Sequence, residues 1–309
     1  MAKGPTVREL KRQAKAARIR GYSRMRKAEL LAALGSLVSF PKKTLADFRT
    51  EVIGGVTLIL GDCRDVMPLL DPVDHVISDP PYEAHMHDAK RGEKIYGARQ
   101  RIRIDGHANP PPVDFASIDG MREFVSREMV RLSKGWLLVF CTPEGVAPWR
   151  DAIEATGAKY KRACVWIKPD SAPQFNGQGP AMGAEMFCAA WCGRGHSSWN
   201  GGGRRNVFTH PCQPTDRTGE HPTEKPLSLM GELVSLFTQP DQVVLDPFAG
   251  SGSTLVASAK LGRRAIGIEV DPEYFDLSCR RVRVAYAQPD FFVPATSSKP
   301  KQVNMLEAL

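Results

Sequence analysis

The sequence predicts an α/β fold: a seven-stranded, mostly parallel sheet with helices on both faces, joined to a small all-α module at the N-terminus. Two observations carry the sheet. From Val52 onward short apolar runs alternate with amphipathic stretches, the pattern of parallel strands linked by helices. Two of those runs end abruptly, one in Asp79-Pro80-Pro81 and one in Asp246 before a glycine-rich turn. Such strand ends are where open α/β sheets bind ligands. A third observation, a cluster of basic residues in the first 36 positions, sets the N-terminal module apart.

In that module Thr6 and Glu9 have the spacing of a capping box, which satisfies free amides at a helix start. Val7, Leu10 and Ala14 then recur on one face. Gly21 breaks the chain, Ser23 can cap a second helix, and Leu30, Leu31 and Leu34 give it an apolar side before Gly35. Residues 37–51 read as a linker and 52–288 as the main domain. Its strands are expected at Val56–Leu60, Val73–Ser78, Trp136–Phe140, Ala163–Ile167, Glu185–Ala190, Val243–Leu245 and Ala265–Ile268. Helices are expected over Met121–Leu132, over Pro226–Phe237 with proline at the first turn, and from Asp271-Pro272. Stretches 83–116 and 193–220 lack periodicity, and irregular segments of that length are functional or mobile. Residues 289–309 read as a tail.

Composition narrows the function classes. The chain is 42% hydrophobic and 25% charged, as globular domains are. No apolar run nears the roughly 20 residues of a membrane span, and the N-terminal charges precede no apolar segment of a secretory signal. Seven scattered cysteines suggest no disulfide framework, so a cytoplasmic protein without membrane partners is expected. Residues 1–36 hold ten basic and two acidic residues, which is the whole net charge of +8. A basic module on a neutral body points to an anionic partner, most simply nucleic acid. Cys188, Cys192, His196, His210 and Cys212 match no common zinc spacing, so no metal is expected.

The chemistry gathers in five segments. In Asp79-Pro80-Pro81-Tyr82 the prolines force the chain out of the sheet as a stiff loop. The Asp79 carboxylate and the Pro80 carbonyl are two fixed acceptors, and an exocyclic amino group has two N–H donors to match. Tyr82 offers a flat face for a base. In Asp246-Pro-Phe248-Ala249-Gly250-Ser251-Gly252-Ser-Thr254 the glycines let backbone approach a ligand at a helix start. A phosphate loop would need a lysine that this run lacks. Glu269 ends a strand 17 positions after Gly252, where an acid can bind both hydroxyls of a ribose. The remaining segments are "HPTEKP", with Thr223 and Lys225, and "LILGDC", with Asp62.

Together, and in this order, these segments resemble the permuted beta class of S-adenosylmethionine-dependent DNA amino-methyltransferases. The resemblance covers Val52 to about Tyr286. It implies a Rossmann-like methyltransferase fold, in a bacterial or phage protein, that transfers methyl to a base flipped out of double-stranded DNA. Asp79, Pro80, Pro81 and Tyr82 would be catalytic. Asp62, Asp79, Thr223, Lys225, Asp246, Phe248, Ala249, Gly250, Ser251, Gly252, Thr254 and Glu269 would surround the cofactor. The aspartate at the head of the motif favours N6 of adenine, since N4-cytosine enzymes of this type more often carry serine there. An RNA methyltransferase and an inactive DNA-binding protein are the further alternatives, and a homodimer is admitted. Lys90, Arg91, Lys94, Arg99, Arg101 and Arg103, with Arg194, Arg204 and Arg205 in the second irregular stretch, are the candidate DNA contacts. The N-terminal run with "IRGYSRMRKAELLAAL" resembles SAP and Rho N-terminal modules, which bind nucleic acid; docking of the hairpin on the body is the other reading.

Overall fold

The computed structural model describes residues 6–16, 21–30, 43–82, 118–171, 173, 179–212 and 224–288, in two units that divide after Asp47. In the N-terminal unit α1 (Val7–Ala16) opens with its capping box. The Glu9 amide donates to Thr6 Oγ1 at 3.3 Å and the Thr6 amide to Glu9 Oε2 at 3.5 Å. Leu10, Ala14 and Leu30 are buried together, with Tyr22 and Met25 against them, while Val7 is exposed. The second helix starts later than the sequence suggests. Tyr22–Arg24 is a 3-10 turn and Met25 is extended, so Ser23 sits too early to cap. Glu29 instead accepts from the Arg26 amide at 2.7 Å, where a helix over 27–30 begins. Leu31, Leu34 and Gly35 lie outside the described residues.

In the second unit one sheet takes the strands β1 (Arg49–Ile53), β2 (Val56–Leu60), β3 (His75–Ser78), β4 (Trp136–Cys141), β5 (Lys159–Ile167), β6 (Ala184–Trp191), β7 (Val207–Thr209), β8 (Val243–Asp246) and β9 (Arg264–Glu269). Their order is β1-β2-β9-β8-β3-β4-β6-β5-β7. All seven expected strands are present; Val73 makes only an isolated bridge to Ser133. Among the described residues the sheet has nine strands, because β1 and β7 extend its two edges. β1 occupies part of the expected linker and β7 part of the second irregular stretch. Edge strands are solvated on one side and show no continuous apolar run; only one residue of β7, Phe208, is buried.

The centre, β2-β9-β8-β3-β4, is parallel, and β6 runs antiparallel between β4 and β5. Every residue of β3 and β4 is buried. Their side chains alternate between the two faces. Val76, Leu137 and Val139 meet Val125, Met129 and Leu132 of α3 (Arg122–Leu132) and Trp149 and Ile153 of α4 (Val146–Glu154). Ile77, Leu138 and Phe140 meet Leu229, Met230, Leu233 and Phe237 of α5 (Leu227–Phe237). A short α2 (Cys63–Val66) follows β2. Two C-terminal helices, α6 (Ser253–Lys260) and α7 (Pro272–Ala287), share a third cluster with Val56, Leu58 and Ala265. No helix among the described residues is long and apolar enough to cross a membrane. β3 lies between β8 and β4, so the chain ends at Asp79 and Asp246 are neighbours.

Candidate functional site

Asp79 leaves β3 into a group of buried charges drawn from four segments. Its Oδ2 accepts from Lys225 Nζ at 2.5 Å. Lys225 Nζ also lies 3.2 Å from the Tyr82 hydroxyl and 3.2 Å from Glu185 Oε2. Tyr82 donates to Glu185 Oε2 at 2.7 Å, and Lys168 pairs with Glu185 Oε1. The ammonium of Lys225 sits 5.1 Å from the Phe140 ring and 5.4 Å from that of Tyr82, within reach of cation–π attraction. Burial alone would lower the Lys225 pKa, but Asp79 and Glu185 outweigh it and hold the amine charged. Burial would likewise raise Glu185, yet Lys225 and Lys168 hold it down at about 2. The Asp79 carboxyl is pushed up by burial against the pull of Lys225. Its second oxygen, Oδ1, is buried with no hydrogen-bond partner among the described residues. A buried acceptor left without a donor costs about 1–3 kcal/mol, so a donor group on a ligand is the natural complement.

The neighbouring strand end is built from internal hydrogen bonds. Asp246 Oδ1 accepts from Ser78 Oγ at 2.7 Å and Oδ2 from Thr254 Oγ1 at 2.6 Å. The first bond ties the two strand ends, and the second ties the glycine turn to its strand. The turn needs its glycines. Gly250 and Gly252 have φ of 51° and 82°, and a Cβ on Gly252 would fall 2.1 Å from Ser278 Oγ. Gly250 N donates to Glu269 Oε2 at 2.7 Å and Asp271 N to Glu269 Oε1 at 2.9 Å. Each of these oxygens has a second lone pair, so the carboxylate can still take two hydroxyls. Arg281 of α7 donates to the Ser251 carbonyl at 2.7 Å and to Ser251 Oγ at 2.8 Å, and pairs with Glu224. That buried guanidinium joins the glycine turn to the segment carrying Lys225.

A family model of the N6/N4 type, described as DNA methylase, matches residues 73–280, which carry both the acceptor pocket and the glycine turn. The chain belongs to this DNA methylase family. Similarity to individual members extends over most of the domain. The type II methyltransferase M2.MboI of Moraxella bovis is 26% identical over 238 residues, 72% of this chain and 85% of that one. In fold, M1.HpyAVI in its complex with SAM matches with a TM-score of 0.55 at 22% identity, over 74% of this chain and 98% of that one. The cytosine-N4-specific PvuII DNA methyltransferase matches with a TM-score of 0.54 at 15% identity, over 73% and 86%.

Within this methylase the expected site residues divide. Asp79, Pro80, Pro81 and Tyr82 lie at the carboxyl end of β3, with Pro80 buried. Asp246, Phe248, Ala249, Gly250, Ser251, Gly252, Thr254 and Glu269 line the adjoining turn and strand end. Lys225, expected with the cofactor contacts, is engaged by Asp79 and Glu185. Asp62 follows β2 beside Glu269, where it caps α2 and pairs with Arg64 at 2.5 Å. Thr223, Lys90, Arg91, Lys94, Arg99, Arg101 and Arg103 lie outside the described residues. Arg194 follows the end of β6 that pairs with the start of β4, the opposite end of the sheet from Asp79. Arg204 pairs with Glu232 of α5, and Arg205 is exposed just before β7. Among the described residues no cluster of metal-ligand side chains forms. Glu185, Lys168, Glu224 and Arg281 were not singled out from the sequence. The available signal was a glutamate heading an apolar strand, with a lysine following the strand before it.

Proposed function

We propose that this DNA methylase transfers a methyl group to N6 of an adenine flipped out of duplex DNA, with Asp79 and Pro80 as the acceptors that hold the amino group. The observation that carries the reading is Asp79 Oδ1, a buried acceptor without a donor among the described residues, at the strand end next to the glycine turn. S-adenosylmethionine, when bound, supplies an electrophilic methyl group open to in-line attack. Glu269 is suited to its ribose, since each carboxylate oxygen keeps a free lone pair, and the glycine turn to its methionine part, since its left-handed glycines accept close approach. An amino nitrogen on a base is a weak nucleophile because its lone pair is delocalised into the ring. Two acceptors on its N–H groups favour a pyramidal nitrogen in the transition state, and a fixed geometry supplies proximity. Asp79 Oδ1 then takes the proton that the methylated nitrogen sheds. Lys225 fixes the other oxygen and so aims this one.

The preference for adenine rests on the aspartate that heads the motif. N4 of cytosine is the second reading, favoured by the likeness in fold to a cytosine-N4-specific enzyme. Nucleoside analysis of duplex DNA treated with protein and labelled cofactor decides between them. N6-methyladenine is expected, N4-methylcytosine would replace it with the second reading, and methylation of RNA alone would overturn both. The basic N-terminal unit is proposed as a phosphate contact that adds affinity without choosing the target sequence.

A further inference from the structure

Glu185 and Lys168 are set too deep and too regularly to be incidental ion pairs. With Lys225 and Asp79 they form a row of alternating charge, Lys168–Glu185–Lys225–Asp79. Three of the four side chains are at most 14% exposed, and Asp79, at the open end, is 24% exposed. Two positive and two negative groups leave the row neutral, which is the condition for burying charge without a large penalty. The row also crosses the fold. Lys168 follows β5, Glu185 sits on β6 opposite Trp166, Lys225 precedes α5 and Asp79 follows β3. The Tyr82 hydroxyl donates to the same Glu185 oxygen that faces Lys225. Glu185 therefore fixes both groups that border Asp79.

A carboxylate that must receive an amino group has two conflicting needs. It has to be held in place, which Lys225 does. It must also remain a strong acceptor, and an ammonium that belongs to it alone would weaken it. Sharing that ammonium with a second carboxylate answers both needs, and a second lysine behind that carboxylate restores neutrality. We propose that Glu185 and Lys168 are positioning residues for methyl transfer, which hold Lys225 and Tyr82 and set the acceptor strength of Asp79. This rests on the reading of Asp79 as the amine acceptor. Among the described residues the other charged or titratable groups around Asp79 are Tyr82, Lys225, Glu185 and, from the neighbouring strand, Asp246; Cys141 faces Tyr82.

The test is the pH dependence of single-turnover methyl transfer by the full chain, with cofactor and DNA dissociation constants measured alongside. Glu185→Gln removes an anion near Asp79, so Asp79 ionises more readily and the acidic limb moves to lower pH. Lys168→Met leaves the charge of Glu185 less neutralised, so the limb moves to higher pH. In both, the transfer rate falls by about tenfold or more while the dissociation constants change by less than about threefold. Lys168→Arg, which keeps the charge, retains the wild-type limb. The double variant Glu185→Gln/Lys168→Met, neutral again, returns the limb toward wild type. Lost packing alone would not displace the limb in opposite directions. Limbs that stay put, or move the same way in both variants, overturn the proposal. If Glu185→Gln does not fold, Lys168→Met against Lys168→Arg decides the matter: a limb raised by the first and kept by the second supports the proposal, and equal limbs overturn it. Asp79→Ala is the control that separates the two levels. If it stays active, the acceptor reading itself fails; if it is inactive and the limbs are unmoved, only the roles of Glu185 and Lys168 fail.

Discussion

Two carboxylates at the site differ in what surrounds them, and each predicts a different measurement. Glu269 holds two backbone amides, one from the glycine turn, and is proposed to meet the cofactor. Glu269→Ala is expected to raise the cofactor dissociation constant by tenfold or more, in the range of about 1.5–3 kcal/mol for hydrogen bonds to a charged group. It should slow the saturated enzyme much less; an unchanged constant by calorimetry would remove its ribose role. Asp246 is pushed up to about 6 by burial, which outweighs the hydrogen bonds from Thr254 and Ser78. The folded state therefore binds this proton more tightly than the unfolded chain, whose carboxyl titrates near 4. That group makes stability fall as pH rises from about 4 to about 6, by an order of 2–3 kcal/mol. Asp246→Asn removes the charge, and its denaturation midpoint should lose that part of the fall; an identical pH profile would contradict the burial argument. The aspartates, the glycines and Glu269 were legible in the sequence because each stands at the end of an apolar run. Glu185 and Lys168 were not, because their meaning lies in a cross-strand register that a single strand does not reveal.

Between elements, Arg281 makes a buried joint. It reaches from α7 to the carbonyl of Ser251 and to Glu224, so it fixes the glycine turn against the segment that carries Lys225. Both side chains are nearly fully buried, at 8% and 1% exposure. Removing one partner of such a pair leaves an uncompensated charge, at a cost of about 3–5 kcal/mol. Arg281→Met should show that loss in chemical denaturation, and replacing Glu224 as well should recover much of it. A double variant no better than the single one would mean that the pair is not coupled. The helix was foreseen from Asp271-Pro272, and Asp271 does cap it through the amides of Glu273 and Tyr274. The inward aim of Arg281 was not, because a cation in an amphipathic helix reads equally well as solvated surface. The two strands missed are the outermost ones, whose polar, partly exposed residues leave no apolar run to detect.

The whole chain separates a neutral catalytic unit from a basic N-terminal one. All of the net charge of +8 lies in the first 36 residues, and α1 with the helix over 27–30 closes on its own small core of Leu10, Ala14 and Leu30. Phosphate contacts release counterions, so their number sets the salt dependence of DNA affinity. A chain beginning at Lys42 should methylate the same sequence, bind DNA more weakly and show a shallower salt slope. Unchanged affinity and slope would remove the module from DNA binding, and a different target sequence would make it a reader of bases. The sequence made this division legible through charge alone. The strand ends at Asp79 and Asp246 are neighbours through the parallel pairing of β3 with β8, as the usual sheet order of methyltransferases implies.

The proposed transfer turns on Asp79 receiving the amino group, and transfer of labelled methyl to duplex DNA by Asp79→Ala probes that role without intermediaries. Methyl transfer should be lost while the variant still binds both cofactor and DNA. A variant that binds both and methylates at the wild-type rate would show that Asp79 is not the acceptor.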